Sequence, residues 1–457
     1  MNKTPKRKSI VYLVVIITWL AVWEAVSLFV HNDILMAGPG GVLITLFHKC
    51  GEADFYVSIA ASLLRIGLGY LTGFIVGAFF AFAAWKNHLV DIFLAPLMAF
   101  MKAAPVASFV VLFLIWWHSS VLSFAICICV VLPQIYVSTL MGLKSTDKKL
   151  LEMAQVFELS KTDRFNYILR PALSDFLEGA IRVSAAMAIK AGVAAEVIGT
   201  PDNSIGNELY MSKIYLDTKG VLAWTLVVIL ISMLCEKILV YAAGKYFRHE
   251  FKCRGSRNPD LADRAIEEGK KDLSGVKESR EGLKLRLTGI DKAYGEKKVL
   301  ENYSAEFSKG QVYTYDWPSG AGKTTLFRII AGLEKADKGL IEPGAYRISV
   351  SFQEDRLIED YSAVTNCLIV CGSKRKPEAE NILLKLLDEE DLYRPVSKLS
   401  GGQRRRVAVA RALLKDSDIA LFDEPFEGLD GAARERTALA INEYGRDKIL
   451  LIASHIS

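Results

Sequence analysis

Gln311-Val-Tyr-Thr-Tyr-Asp-Trp-Pro-Ser-Gly-Ala-Gly-Lys-Thr-Thr-Leu-Phe-Arg-Ile-Ile-Ala331 decides how the second half of the chain is read. A strand-like run over 311–315 enters a glycine-containing turn and leaves it in the helix-like 326–331, the order a phosphate-binding loop requires. Gly320 and Gly322 would let backbone N–H groups close on phosphates at a helix N-terminus, with Ser319, Ala321 and Thr325 in the same loop. Lys323 would reach the β- and γ-phosphates, and Thr324 would ligate Mg²⁺. Trp317 stands where the pattern G-x-x-x-x-G-K-[ST] has its first glycine. Glycine takes a tight turn without steric cost, so either the turn is forced into a sparsely allowed conformation, weakening ATP binding by about 1–3 kcal/mol of strain, or it has shifted to one that tolerates tryptophan at no cost. Its indole should point away from the phosphates, into the interior or along the nucleotide's edge.

Two further stretches agree with that loop. The apolar run Ile419 to Phe422 leads into Asp423 and Glu424, which places one carboxylate to hold Mg²⁺ through water and the next to polarise an attacking water. Upstream, Leu399-Ser-Gly-Gly-Gln403 is a glycine-rich turn opening a basic helix, a second arrangement suited to a phosphate. Short β-like runs at 284–287, 311–315, 348–352, 419–422 and 449–453 alternate with helical stretches. That alternation predicts a mostly parallel sheet flanked by helices.

The first half is of another kind. At 457 residues the chain is too long for one compact domain, 51% of it is hydrophobic, and the mean hydropathy is +0.25; part of it belongs in lipid. Apolar runs at 10–30, 66–85, 103–117, 121–143, 183–199 and 221–234 predict about six transmembrane helices. The third run is short, with Pro105 near its start. Six crossings put the basic N-terminus, the Lys- and Arg-rich loop 144–170 and the charged segment after Lys245 on one side, as the positive-inside rule requires. Dense mixed charge over 248–282 reads as a linker. The expected domains are therefore a membrane domain over 1–247, the linker 248–282 and an α/β phosphate-loop domain over 283–457. A net charge of +5 without a basic stripe argues against a nucleic-acid partner. The seven cysteines lack metal-ligand spacing.

In its order of motifs, the stretch from Leu283 to Ser457 resembles the ABC transporter ATPase family. The resemblance implies that Tyr294 stacks on adenine and that Gln353 lies in the loop joining the catalytic core to the membrane partner. Gln353 then counts with Thr324 and Asp423 as a metal ligand, and with Glu424 and His455 as a catalytic group. Ser400, Gly401, Gly402 and Gln403 would clasp the γ-phosphate of ATP held by the opposite cassette, Asp430 would lie in the loop crossing the dimer interface, and His455 would sense the γ-phosphate. The family continues past that histidine with further strand and helix, so this cassette is expected to be short at its C-terminus.

Glu152-Met-Ala154 followed by Ile168-Leu-Arg-Pro171 resembles the coupling loop of binding-protein-dependent importers, with Glu158 at the family's glycine and Arg170 at its last leucine. The layout from Ser62-Leu-Leu-Arg65 to Ala194-Ala-Glu-Val-Ile-Gly199 looks most like the nitrate/sulfonate/taurine permease group. Lys190 and Glu196 lie in the fifth apolar run, about 240° apart around a helix. Either Lys190 faces a solute path and attracts an anion, or it meets a neighbouring helix while Glu196 marks the end of the span. The resemblance implies ATP-driven import of a small anion across the cytoplasmic membrane, with both termini and the ATPase in the cytoplasm. It implies ATP and Mg²⁺ as cofactors. The implied partners are a second copy or a similar half-transporter, an extracytoplasmic solute-binding protein and membrane lipid. Trp317 and the short end leave an alternative, an ATP-binding membrane protein with impaired hydrolysis and a regulatory role.

Overall fold

A computed structural model describes residues 5–247, 283–318 and 321–454. Ser319, Gly320, His455 and the expected linker lie outside the described residues. Met1–Ser145 with Ala172–Arg248 form one compact unit, and Thr146–Pro171 with His249–Ser457 form another.

Helices of the first unit are α1 (Pro5–Val30), α2 (Pro39–Lys49), α3 (Ala53–Lys86), α4 (His88–Ala103), α5 (Val106–Trp116) and α6 (Ser119–Lys144). Next in the chain, in the second unit, come α7 (Lys148–Val156) and α8 (Lys161–Arg164), the latter running through a π-turn at Phe165–Leu169. The chain then enters α9 (Arg170–Gly199), α10 (Ile205–Ile214) and α11 (Thr218–Phe247). Among the described residues three helices, α3, α6 and α11, are long and apolar enough to cross a membrane. Over the expected span 103–117 the helix is broken rather than continuous. Pro105 holds Ala104 extended (ψ 134°), so the chain breaks there, and α4 and α5 form a pair bent by 101°. Within α1 the described apolar stretch is Val14–Val30. α9 carries Arg170, Asp175, Glu178, Arg182, Lys190 and Glu196, which keeps it below the hydropathy of the other spans. α3 packs on α6 through Gly69, Gly73 and Gly77, one per helical turn. A Cβ at Gly69 would lie 2.5 Å from the Phe124 carbonyl oxygen, and one at Gly77 would lie 2.7 Å from that of Leu132. Only glycine permits this backbone approach.

The second unit contains two sheets. β1 (Lys284–Tyr294), β2 (Lys297–Ser308) and β4 (Lys338–Glu342) form an antiparallel sheet in the order β2-β1-β4. β3 (Val312–Tyr315), β5 (Ile348–Ser351), β6 (Ile419–Asp423) and β7 (Ile449–Ala453) form a parallel sheet in the order β3-β7-β6-β5. β5, β6 and β7 are buried at every position, as strands covered on both faces must be. Helices α12 (Lys323–Ile330), α13 (Ala363–Cys371), α14 (Lys376–Leu386), α15 (Gly401–Leu414) and α16 (Gly431–Tyr444) complete the α/β domain. The five expected strands are all present. Sequence reading missed β2 and β4, whose charged and half-exposed residues carry no buried run.

Candidate nucleotide site

The site is built at the carboxyl ends of the parallel strands, where open α/β sheets bind ligands. Gly322 is the N-cap of α12 at φ 93°. A Cβ there would lie 2.9 Å from Val299 Cγ1 and 3.0 Å from the Val299 carbonyl oxygen, so the turn admits only glycine. Lys323 and Thr324 follow on the first turn of α12, and Lys323 is buried. Thr324 Oγ1 donates to Asp423 Oδ2 at 3.3 Å, which joins the end of β6 to the start of α12. Burial pushes the Asp423 carboxyl up, and the hydrogen bond from Thr324 opposes that.

Glu424 follows at φ 52°, a left-handed conformation unusual for a side chain of its size. Its N–H donates to the Ala453 carbonyl at 2.8 Å, which holds the strained residue against the end of β7. Gln353 Nε2 reaches Glu424 Oε2 at 3.5 Å. Thr324, Asp423, Glu424 and Gln353, four residues from three separate stretches of sequence, thus meet in one place. Gln353 and Asp423 also line a cleft with Thr324, Arg328 and Arg356.

Tyr294 ends β1 and is half-exposed; its hydroxyl donates to Glu334, and Lys292 Nζ lies 5.5 Å from its ring centroid. Thr325, on the first turn of α12, lies close to that hydroxyl, so the ring stands beside the start of α12. Ser400 caps α15 in a reciprocal box with Gln403: Gln403 N donates to Ser400 Oγ at 3.2 Å, and Ser400 N to Gln403 Oε1 at 2.8 Å. Gln403 Nε2 is tied to Asp391. Gly401 has open space around it, and Gly402 lies against Gly428 and Leu429. Asp430 accepts from Ala433 N at 2.8 Å as the N-cap of α16.

At Trp317 the structure favours the turn without strain. It is not among the residues with positive φ, so the chain makes no demand there that glycine alone meets. The indole points into the interior, edge-on to Tyr303 and Tyr315 with ring centroids 5.4 and 5.2 Å away.

Sequence reading passed over the arginines beneath the site. Arg405 Nη1 donates to the Phe352 carbonyl at 2.8 Å and Nη2 to that of Gln353 at 2.5 Å, binding α15 to the glutamine loop. Fully buried Arg411 donates to the carbonyls of Asp355 and Arg356 at 3.0 and 2.8 Å, and its guanidinium lies 5.1 Å from the Phe157 ring. Desolvation lowers it to about 10. The basic run after Gln403 was the available signal, but which of its members turns inward depends on helix phase. The segment 146–171 is held to the cassette by Glu152, which pairs with Arg328 and Arg356. Lys149 pairs with Glu354 at 2.6 Å, and Lys415 Nζ donates to the Phe157 carbonyl at 2.6 Å. Glu158 stands at φ 54°, so the glycine-type turn is kept without the glycine.

Residues 300–427 match the family described as ABC transporter. Residues 71–247 match the binding-protein-dependent transport system inner membrane component. An aliphatic sulfonates import ATP-binding protein of Paraburkholderia xenovorans is 32% identical over 186 residues, 40% of this chain and 52% of that protein. One from Rhodococcus jostii is 37% identical over 158 residues, 33% and 57% respectively. Another from Rhodopseudomonas palustris is 37% identical over 188 residues, 39% and 66%. The chain thus spans 52 to 66% of the length of these curated relatives. An inner membrane transport component and an ABC transporter cassette are thus matched side by side on one polypeptide.

Proposed function

We propose that the chain is half of an ATP-driven importer, the cassette binding and hydrolysing ATP and the membrane unit carrying a small anionic solute of the sulfonate class. The observation that carries the reading is the meeting of Thr324, Asp423, Glu424 and Gln353 at the start of α12. In this reading Lys323 and the α12 N-terminus hold the phosphates. Glu424 polarises the attacking water, and Tyr294 supports the base. The hard oxygen donors of Thr324 and Asp423, with the Gln353 amide, suit Mg²⁺. They would hold it where it neutralises phosphoryl charge. Ser400 caps α15, and the first-turn amide groups of Gly401 and Gly402 that follow it are suited to a phosphate held by another copy, so two chains complete two sites.

In this reading the chain sits in the cytoplasmic membrane with its cassette in the cytoplasm, and a separate extracytoplasmic binding protein delivers the solute, as apolar helices α3, α6 and α11 and the match to an inner membrane transport component support. The sulfonate class is carried over from the names of the relatives. Vanadate-sensitive ATP turnover by the purified full chain, abolished by Lys323→Ala, tests the reading; a chain that binds ATP without turnover would overturn it. Uptake of ethanesulfonate or taurine by cells expressing the chain beside candidate binding proteins tests the solute class.

A further inference from the structure

Over 183–199, α9 carries two charges, Lys190 and Glu196. Glu196 is fully buried and accounted for: it accepts from Ser62 Oγ at 2.7 Å, Arg65 Nη1 at 3.2 Å and Gly206 N at 3.4 Å. Lys190 is exposed and has no hydrogen-bond or ion-pair partner among the described residues.

Its depth can be read from its neighbours. Cys127 Sγ donates to the Ala188 carbonyl at 3.3 Å, and a Cβ at Gly192 would lie 2.6 Å from Ile66 and 3.1 Å from Cys127. Lys190 therefore lies level with the interior of the apolar spans α3 and α6. At about 1.5 Å per residue, Cys127 is about 12 Å inside the Ser119 end of α6 and about 26 Å from its Lys144 end. Escape of the ammonium to the nearer surface is opposed by geometry, because helical side chains lean toward their own N-terminus and Gly199 is the C-terminal end of α9. An unpaired ammonium facing lipid at that depth is costly, so the face that bears it must be wet.

Val183, Met187 and Ala194 lie on that same exposed face, spaced three and four residues apart from one another and Lys190. Gln134 of α6 adds an amide, its Nε2 4.0 Å from Met187 Sδ. The nearest acid toward the N-terminus of α9 is Glu178, about 18 Å along the helix. The face therefore offers a full positive charge and an amide donor with no competing carboxylate.

We infer that Lys190 lines the aqueous solute path, at the seam this face forms with a second copy of the chain, and selects anionic over cationic solutes there. This rests on the transport reading and adds the residue that sets the sign of the solute. The test introduces cysteine at Met187 in the full chain reconstituted in liposomes. Its reaction with 2-sulfonatoethyl and with 2-(trimethylammonio)ethyl methanethiosulfonate is measured above the background of the native cysteines, and ATP turnover is followed in the same sample. The anionic reagent should react faster, and Lys190→Glu should shift the ratio of rates toward the cationic reagent by roughly tenfold or more, as a single nearby charge in a partly hydrated site does. Lys190→Met should remove the preference and serves if the glutamate variant does not fold. No reaction at position 187, or a ratio indifferent to the charge at 190, overturns the inference even where ATP turnover is intact. A preference that obeys Lys190 in a parent chain without ATP turnover sinks the transport reading and leaves the wet, cationic face standing.

Discussion

Glu152 receives the Arg328 guanidinium in a two-pronged pair, Nη1 to Oε2 at 3.1 Å and Nη2 to Oε1 at 3.0 Å. Arg356 Nη1 adds a third bond to Oε2 at 2.7 Å. One carboxylate on α7 thus gathers the phosphate-loop helix, through Arg328, and the stretch after Gln353, through Arg356. Because α12 begins at the phosphate loop, any shift of that helix must pull on α7. Fork-shaped pairing fixes direction as well as distance, which a single lysine contact would not do.

Glu152→Gln should therefore loosen α7 from the cassette while leaving the nucleotide residues untouched: ATP turnover survives and uptake fails. The hydrogen bonds from Arg328 hold the Glu152 carboxyl below its ordinary 4.5. A depressed carboxyl stabilises the fold above its unfolded value, and the contribution is lost as pH falls through the folded value. With the pair about one-third exposed, roughly 1–2 kcal/mol remains after solvent screening. Melting temperatures of wild type and Glu152→Gln should differ above about pH 5 and converge on acidification. A gap that does not change with pH would show that the charge is not what matters.

Glu158 closes α7 in a left-handed conformation, with the Leu159 N–H bonded to the Ala154 carbonyl at 2.9 Å. A side chain in that conformation costs about 1 kcal/mol relative to glycine. Glu158→Gly should raise the denaturation midpoint by about that amount without changing the turn. A loss of stability would mean that the glutamate makes a contact outweighing its backbone cost.

How much of this could be read from the sequence depended on whether a signal was local. The phosphate loop, Asp423-Glu424 and Ser400 to Gln403 each declare themselves within a few residues, since their chemistry needs fixed neighbours. The meeting of Gln353 with Glu424 depends on parallel pairing of β5 with β6, and nothing near Gln353 announces it. Arg405 and Arg411 sit in a helix that reads as basic and solvated, yet both turn inward to hold carbonyl groups. The break between α4 and α5 was signalled by Pro105, but its angle is set by packing. β2 and β4 alternate too weakly to stand out from loops.

Glu424→Gln should trap ATP in the site. The amide keeps the size of the side chain but cannot polarise water, and the Thr324–Asp423 contact is unaffected. Turnover should fall at least ~100-fold, the lower end of what a positioned base contributes. ATP affinity, measured with a fluorescent analogue, should hold or rise. Undiminished hydrolysis in the purified variant would remove Glu424 from its role.

Trp317 decides whether the phosphate loop here is strained or braced. Its indole is half-buried, edge-on to two tyrosines whose hydroxyls are themselves bonded at 2.9 Å. Each edge-to-face contact contributes about 0.5–1.5 kcal/mol beyond area burial, and removing the whole ring opens a hollow beneath the loop. Trp317→Gly should thus destabilise the fold by about 2–4 kcal/mol, while Trp317→Phe, keeping a ring in place, should lose less than half of that. The backbone at 317 already has a conformation open to any residue, so glycine relieves nothing and adds freedom to a loop that must be ordered around phosphate. That freedom costs about 1 kcal/mol, or roughly a fivefold weaker ATP affinity. Titrating ATP against the three proteins at a temperature where all are folded tests the account. Tighter binding by the glycine variant would mean that the indole strains the loop, and equal binding by all three would mean that the aromatic cluster stabilises the cassette without reaching its nucleotide.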